Sequence, residues 1–246
     1  MHAVRLHTEV HNPAARRRAL VLHGLGSDGP TTWRLADALA GAGHEVTVPD
    51  LRGHGRSPVT DHLGIDGYAA DVALLGEGWD VVVGHSLGGG VLAVLCARAG
   101  FAERGVLLDP ALRLPSGPQR DELRTQMVAE VGGTLSDVAL AAAQPRWDAA
   151  DVRRKVLASQ LVLPRTVAAT FDHNDPWDVL EHAEQWRCPV HLVAADPDHG
   201  ALLPPDQVAA LTSRDGVTAT TIIGAGHSVH RDDPGAAVAA VLAQLR

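Results

Sequence analysis

The chain has 246 residues, a hydrophobic fraction of 46% and a formal net charge of -8 at pH 7. This length and apolar content suffice for one sizeable core. The negative net charge and the lack of long basic blocks argue against a nucleic-acid partner, because phosphate binding needs clustered Lys and Arg. The two cysteines, Cys96 and Cys188, show neither CxxC spacing nor a disulfide-rich pattern, and no apolar signal segment opens the sequence. We therefore expect a cytoplasmic protein with no membrane partner.

Five short apolar runs, most of them rich in valine, are each stopped by turn residues, and a sixth strand is predicted where VTATTII, residues 217–223, alternates in part. Such runs are typical of strands buried on both faces of a parallel sheet. Stretches with helical spacing lie between them. The predicted strands cover residues 19–24, 45–50, 80–86, 105–110, 189–196 and 217–223, and the predicted helices cover 31–42, 65–75, 87–99, 205–212 and 235–245. Because strand and helix alternate, we expect an α/β fold with a mostly parallel central sheet and helices on both faces.

Residues 113–186 break this alternation. They contain no β-like run, only three glycines and three of the five tryptophans. We predict a helical cap inserted at 113–186 into a core formed by residues 1–112 and 187–246. Such an insertion usually lies over the carboxyl ends of the strands, where α/β proteins bind ligands. Trp147 and Trp177 are candidates for substrate binding, with packing of the cap as the alternative role.

The pentapeptide GHSLG, residues 84–88, lies between an apolar strand and an apolar helix. A serine in a sharp turn from strand to helix is the arrangement of a nucleophile elbow. The positions two before and two after the serine should lack bulk, because the strained turn brings them close to the adjacent strand and helix. The pattern predicts Ser86 as a nucleophile.

A serine hydroxyl needs a base whose pKa lies near neutrality. Among the fourteen histidines, His227 lies in the loop between the last predicted strand and the last predicted helix. A carboxylate must hold the imidazole and favour its protonated form. Asp198 and Asp196 follow a late strand, while Asp109 ends an earlier one. We favour Asp198, and Asp196 and Asp109 stay open as alternatives.

Four segments resemble motifs of the α/β-hydrolase superfamily, in that family's order and over nearly the whole chain. They resemble the oxyanion loop, the stretch after the next strand, the elbow and the histidine loop, and they read LVLHGLGSDGPTTW (20–33), VPDLRGHGRS (48–57), GHSLGG (84–89) and GAGHSVHRDDP (224–234). The order Ser86, Asp198, His227 is also that of the family. There the acid commonly ends a GxxD pattern, in which Ala195 here replaces the glycine.

The resemblance implies a cofactor-independent serine hydrolase without a metal. It would cleave a carboxylic ester, thioester or lactone of a small-molecule acyl substrate through an acyl-enzyme on Ser86. Two backbone N–H groups would hold the oxyanion, one from Leu87 at a helix N-terminus and one from Leu25, with Gly26 less favoured. Two other interpretations remain. One is a C–C bond hydrolase or lyase that uses the same triad, and the other is a non-catalytic ligand-binding member of the fold.

Overall fold

The computed structural model describes residues 2–245, and a seven-stranded sheet forms its centre. The strands are β1 (Thr8–His11), β2 (Arg17–Leu22), β3 (His44–Pro49), β4 (Val81–His85), β5 (Gly105–Leu108), β6 (Val190–Ala195) and β7 (Val217–Ile222). Their spatial order is β1-β3-β2-β4-β5-β6-β7, and only the pairing of β1 with β3 is antiparallel among these strands. The predicted α/β fold with a mostly parallel sheet is confirmed. β1 was not predicted, because it is a short edge strand with two exposed residues and no continuous apolar run.

Ten α-helices accompany the sheet within the described residues. They are α1 (Trp33–Gly41), α2 (Ile65–Ala73), α3 (Leu87–Cys96), α4 (Pro118–Ala129), α5 (Asp137–Ala143), α6 (Ala149–Leu161), α7 (Pro164–Asp172), α8 (Pro205–Thr212), α9 (Val229–Asp232) and α10 (Pro234–Ala243). Across residues 2–245, no helix has both the length and the apolar character needed to cross a membrane. The short α9 was absent from the prediction, and it carries residues of the candidate site.

Two apolar layers cover the sheet, one on each face. Leu20 and Leu22 of β2 pack into the layer that contains α2 and α3. Ala19 and Val21 of the same strand pack into the layer that contains α1 and α10. Successive strand side chains point to opposite faces, so a strand that is apolar at every position is buried on both. This burial explains why valine-rich runs identified the strands.

The helices α4 to α7 lie between β5 and β6 along the chain, in the stretch predicted as a cap. The two ends of this stretch pair with each other. The Leu114 N–H donates to the Trp177 carbonyl (3.1 Å), and the Val179 N–H donates to the Leu112 carbonyl (2.8 Å). Residues 180–186 that follow pack on α3 of the core. The exact domain boundaries therefore stay a prediction.

Candidate active site

Ser86 lies at the turn between β4 and α3, with a left-handed backbone of φ 54° and ψ -115°. A Cβ added at Gly88 would lie 2.6 Å from the Leu22 carbonyl oxygen, and one added at Gly84 would collide with the Gly88 carbonyl. The prediction that the positions two before and two after Ser86 must lack bulk, here Gly84 and Gly88, is confirmed. The Ser86 N–H donates to the Leu108 carbonyl of β5 (3.1 Å), which ties the turn to the neighbouring strand.

A chain of two hydrogen bonds joins Ser86, His227 and Asp109. The distance from His227 Nε2 to Ser86 Oγ is 3.0 Å, and that from His227 Nδ1 to Asp109 Oδ2 is 2.7 Å. An ionised carboxylate only accepts hydrogen bonds, so Nδ1 donates to Asp109. This fixes the tautomer in which Nε2 is free to accept the hydroxyl proton of Ser86.

The prediction that Asp198 partners His227 is wrong, because Asp109 occupies that position. Asp198 is exposed in the turn Pro197–His199, and its N–H donates to Asp196 Oδ1 (3.0 Å). The other oxygen of Asp196 accepts the Gly224 N–H at 2.7 Å. These backbone hydrogen bonds lower the pKa of Asp196. The Asp196 carboxylate therefore holds the local turn and the start of the loop after β7, and within residues 2–245 no hydrogen bond joins Asp196 or Asp198 to His227.

Asp109 follows β5, the strand next to the one that carries Ser86, and its side chain is 0% exposed. Its Oδ2 accepts the Leu202 N–H at 2.8 Å, and its Oδ1 accepts the Leu203 N–H at 3.1 Å. A buried carboxylate needs such donors, because loss of hydration is otherwise costly. The bonds also orient Oδ2 toward His227.

The backbone donors around Ser86 distinguish Leu25 from Gly26. The Gly26 N–H donates to His54 Nε2 at 3.2 Å. Burial lowers the pKa of His54 to about 3, so the ring is neutral and this nitrogen accepts. Within residues 2–245, no hydrogen bond uses the N–H of Leu25 or of Leu87. These two unpaired donors belong to residues that line a cavity together with Ser86, and their role as an oxyanion hole stays a prediction.

Two cavities meet at Ser86. The larger, of about 600 Å³, has Trp147 in its wall, and the smaller, of about 70 Å³, is lined mainly by apolar side chains that include Trp177. The indole Nε1 of Trp147 donates to Asp232 Oδ1 (2.8 Å), and that of Trp177 donates to the Ala111 carbonyl (2.9 Å). Each of the two tryptophans is held by a hydrogen bond and faces a cavity. Substrate contact by either stays a prediction.

Comparison with known proteins identifies the family. A family model described as "Alpha/beta hydrolase family" matches residues 19–241. The chain belongs to the alpha/beta hydrolase family. Lipase LipV of Mycobacterium tuberculosis is 34% identical to this hydrolase over 161 residues, which are 63% of the hydrolase and 60% of LipV. The hydrolase thus spans less than two thirds of that relative. The non-heme chloroperoxidase of Streptomyces lividans is 40% identical over 104 residues, 38% of the hydrolase and 37% of the relative.

The enol-lactonase from Burkholderia xenovorans LB400 has the same fold as this hydrolase. Its TM-score is 0.79 at 24% identity, with 98% of the hydrolase and 96% of the lactonase covered. The esterase from Thermogutta terrifontis has a TM-score of 0.75 at 23% identity, with 98% and 93% covered. These two structures show the fold, and the family match supports a hydrolytic enzyme.

Two residues that sequence reasoning did not assign to the site hold the backbone of Gly26, next to Leu25. His54 holds the Gly26 N–H, as described above, and Lys155 of α6 donates from Nζ to the Gly26 carbonyl at 2.8 Å. The motif GHGRS contains His54, so its position was a usable signal. Lys155 lies 129 positions from Gly26 in a helix without a motif, and nothing in the sequence pointed to it.

Proposed function

We propose that this hydrolase is independent of cofactors and cleaves a carboxylic ester, thioester or lactone through an acyl-enzyme on Ser86. The observation that carries the proposal is the hydrogen-bonded chain from Asp109 through His227 to Ser86, with distances of 2.7 Å and 3.0 Å. This is the geometry that makes a serine hydroxyl a nucleophile near neutral pH.

In the first half-reaction, His227 Nε2 takes the hydroxyl proton as Ser86 Oγ attacks the substrate carbonyl. The imidazolium that forms is stabilised by Asp109. The developing oxyanion accepts the N–H groups of Leu25 and Leu87, each worth about 3 kcal/mol to the transition state. Collapse of the intermediate breaks the bond to the leaving oxygen or sulfur, which receives the proton from His227.

In the second half-reaction, water attacks the acyl-enzyme. His227 removes a proton from this water, and the same two N–H groups stabilise the second oxyanion. When the intermediate collapses, Ser86 Oγ leaves as an alkoxide that takes the proton back from His227, and the carboxylic acid departs.

A small-molecule acyl substrate is supported by the two cavities that meet at Ser86, because an ester has two halves to accommodate. The name of the relative LipV, a lipase, supports ester cleavage among the reactions of the family. A cytoplasmic location stays a prediction from the cysteine pattern.

The test is covalent labelling with a fluorophosphonate followed by peptide mass spectrometry. We expect the adduct on Ser86 and none on Ser228, which follows the same dipeptide Gly-His and is therefore an internal control. Ser86→Ala should lower turnover of 4-nitrophenyl acetate by at least about 10³-fold with a nearly unchanged Tm. Labelling elsewhere, or retained turnover, would refute the assignment. Ester turnover far slower than that of a vinylogous diketone or a cyanohydrin would favour the C–C hydrolase or lyase alternative.

A further inference from the structure

Two buried cationic side chains face the larger cavity. Lys155 projects from α6 and Arg231 from α9, and they are 6% and 3% exposed. Neither forms an ion pair within 4.0 Å among the residues that the structure describes. Burial lowers the pKa of Lys155 to about 8, with a further contribution from the charge of Arg231. Two like charges therefore share the wall of one cavity.

The hydrogen-bonding capacity of both groups is largely unused. The Lys155 ammonium has three protons, and within residues 2–245 it donates only to the Gly26 carbonyl. The terminal nitrogens of Arg231 reach Ser228 Oγ and Ser27 Oγ only at 3.5 Å. Arg231 Nε is buried without a partner in the described part of the chain. Buried donors are nearly always paired, so these indicate a missing acceptor.

The nearest buried carboxylates are held by other donors. Asp151 accepts the indole N–H of Trp33 at 2.8 Å and the Arg34 Nε–H at 3.1 Å. Asp232 accepts the indole N–H of Trp147 at 2.8 Å. Both act on the Arg231 guanidinium electrostatically but not through a direct contact. Neither carboxylate therefore supplies an acceptor to the buried N–H groups of Lys155 and Arg231.

The two remaining acids near the cations form no direct ion pair with them among the described residues. Burial, followed by the charge of Asp50, raises the pKa of Asp28 to about 7, so Asp28 is only partly ionised at neutral pH. Glu130 is exposed at the end of α4. Glu130 and Asp232 also line the larger cavity, yet within residues 2–245 no carboxylate lies within 4.0 Å of the Lys155 or Arg231 nitrogens, whose N–H donors remain open beside Ser86.

The Arg231 guanidinium lies over the ring of Trp147. Its Cζ lies 4.9 Å from the ring centroid of Trp147, while Ser27 and Ser228 lie at the two terminal nitrogens. A guanidinium presents a planar fork of N–H donors, which matches the two oxygens of a carboxylate. The smaller cavity, of about 70 Å³, is lined mainly by apolar side chains and has no Lys or Arg among the described residues of its wall.

We propose that Arg231 and Lys155 bind a carboxylate of the substrate in the larger cavity. The substrate is then an ester that joins a short apolar half, bound in the smaller cavity, to a half that carries a carboxylate. This inference rests on the proposed function, since it names the substrate class of the same site. The carboxylate can belong to the acyl half or to the leaving half, and the experiment has one arm for each.

The test compares charged esters with neutral counterparts of nearly the same shape at pH 7. The acyl arm uses mono-4-nitrophenyl glutarate against 4-nitrophenyl glutaramate, and the leaving-group arm uses 4-acetoxybutanoate against 4-acetoxybutanamide. In one arm we expect kcat/KM to be at least about tenfold higher for the carboxylate, as for a charge-assisted hydrogen bond. A ratio near one in both arms would overturn the inference.

The variants then assign the preference to the two cations. Arg231→Gln and Lys155→Met should each bring the ratio of kcat/KM values close to one, and Arg231→Lys should restore part of it. Arg153→Gln is the matched control, because it removes an exposed cation from the same helix α6 and should keep the wild-type ratio. A preference that survives both Arg231→Gln and Lys155→Met would also overturn the inference.

A binding measurement separates this inference from the proposed function. Isothermal titration of Ser86→Ala with glutarate should give saturable binding, and the added change Arg231→Gln should abolish it. If the enzyme turns over the carboxamide esters and the probe labels Ser86, but glutarate does not bind, only the carboxylate site is refuted. Glutarate binding without ester turnover and without labelling supports the carboxylate site and defeats the acyl-enzyme mechanism.

Discussion

Asp109 and His227 are 118 positions apart in the sequence, and a 2.7 Å hydrogen bond joins their side chains. The bond arises from strand order, since Asp109 follows β5 and β5 lies beside β4, the strand that leads into Ser86. The acid and the nucleophile are thus positioned by two adjacent strands, and the imidazole bridges them from the loop after β7.

Replacing Asp109 with Asn should lower kcat for an activated ester by about 10³- to 10⁴-fold. The amide can donate to His227 Nδ1 and so favour the wrong tautomer. Asp198→Asn is the matched control, because this exposed carboxylate has no contact with His227, and it should stay within about twofold of wild type. Steady-state kinetics on 4-nitrophenyl acetate decides between them. A larger loss in Asp198→Asn than in Asp109→Asn would contradict the geometry.

Gly88→Ala should destabilise the fold. The added methyl group would lie 2.6 Å from the Leu22 carbonyl oxygen, which is backbone and cannot move aside cheaply. We expect a loss of more than about 3 kcal/mol in the free energy of unfolding, the scale of severe overpacking. Gly41→Ala is the control, since a Cβ there meets nothing within 4 Å. At the end of α1 it should be neutral or stabilising by up to about 1 kcal/mol. Urea denaturation measures both, and equal effects would count against the steric account.

Trp177→Leu should enlarge the smaller cavity and shift the preferred chain length upward. Trp177 lines this cavity and Trp186 lines neither of the two cavities. Trp186→Leu loses an indole hydrogen bond to Ala93, so it should cost stability without changing the preference. The measurement is kcat/KM across 4-nitrophenyl esters from acetyl to octanoyl, and across acetates of straight-chain alcohols. An unchanged preference in both series for Trp177→Leu would remove this residue from the substrate contacts.

The stability difference between Lys155→Met and wild type should depend on pH. Burial, aided by Arg231, lowers the Lys155 pKa from 10.5 to about 8, against the weaker opposing effects of Glu130 and Asp28. The folded state therefore binds this proton less tightly than the unfolded state, and the charge destabilises it fully below pH 8. The destabilisation disappears as the pH rises from about 8 toward 10.5.

At ~1.4 kcal/mol per pKa unit, this charge costs the folded state on the order of 3 kcal/mol below pH 8. Lys155→Met removes that cost and also the hydrogen bond to Gly26. Its free energy of unfolding relative to wild type should thus be most favourable at pH 7 and decline by pH 10. Arg153→Gln, at an exposed position of α6, should show a constant difference. A constant difference for Lys155→Met as well would mean that Lys155 is not destabilised by burial.

The sequence was sufficient for the sheet and for two of the three side chains at the reacting centre. β4, β5 and β6 are buried at every position and so stand out as apolar runs, and β7 shows a partial alternation of buried and exposed residues, whereas β1 is a half-exposed edge strand with no such pattern. Ser86 and His227 were recognisable because their loops carry motifs. Those motifs depend on local constraints, such as the space that glycine leaves around Ser86.

The acid could not be chosen from the sequence, since the choice depends on which strands are neighbours. Asp109, Asp196 and Asp198 all follow apolar runs, and a run does not state its place in the sheet. β5 adjoins β4, while β6 lies one strand farther from Ser86. Lys155 was out of reach for a related reason, because its contact with Gly26 joins a cap helix to a distant loop.

The paired ends of the helical stretch make it exchangeable. Backbone hydrogen bonds join Leu112 to Val179 and Leu114 to Trp177, where the chain enters and leaves the stretch. The two junctions of a chimera made at these positions would therefore already be neighbours in space. A foreign helical stretch grafted there would leave Ser86, and the backbone that holds it, on the original scaffold. Such a chimera would test by recombination, rather than by point substitution, whether the helical stretch sets the substrate range.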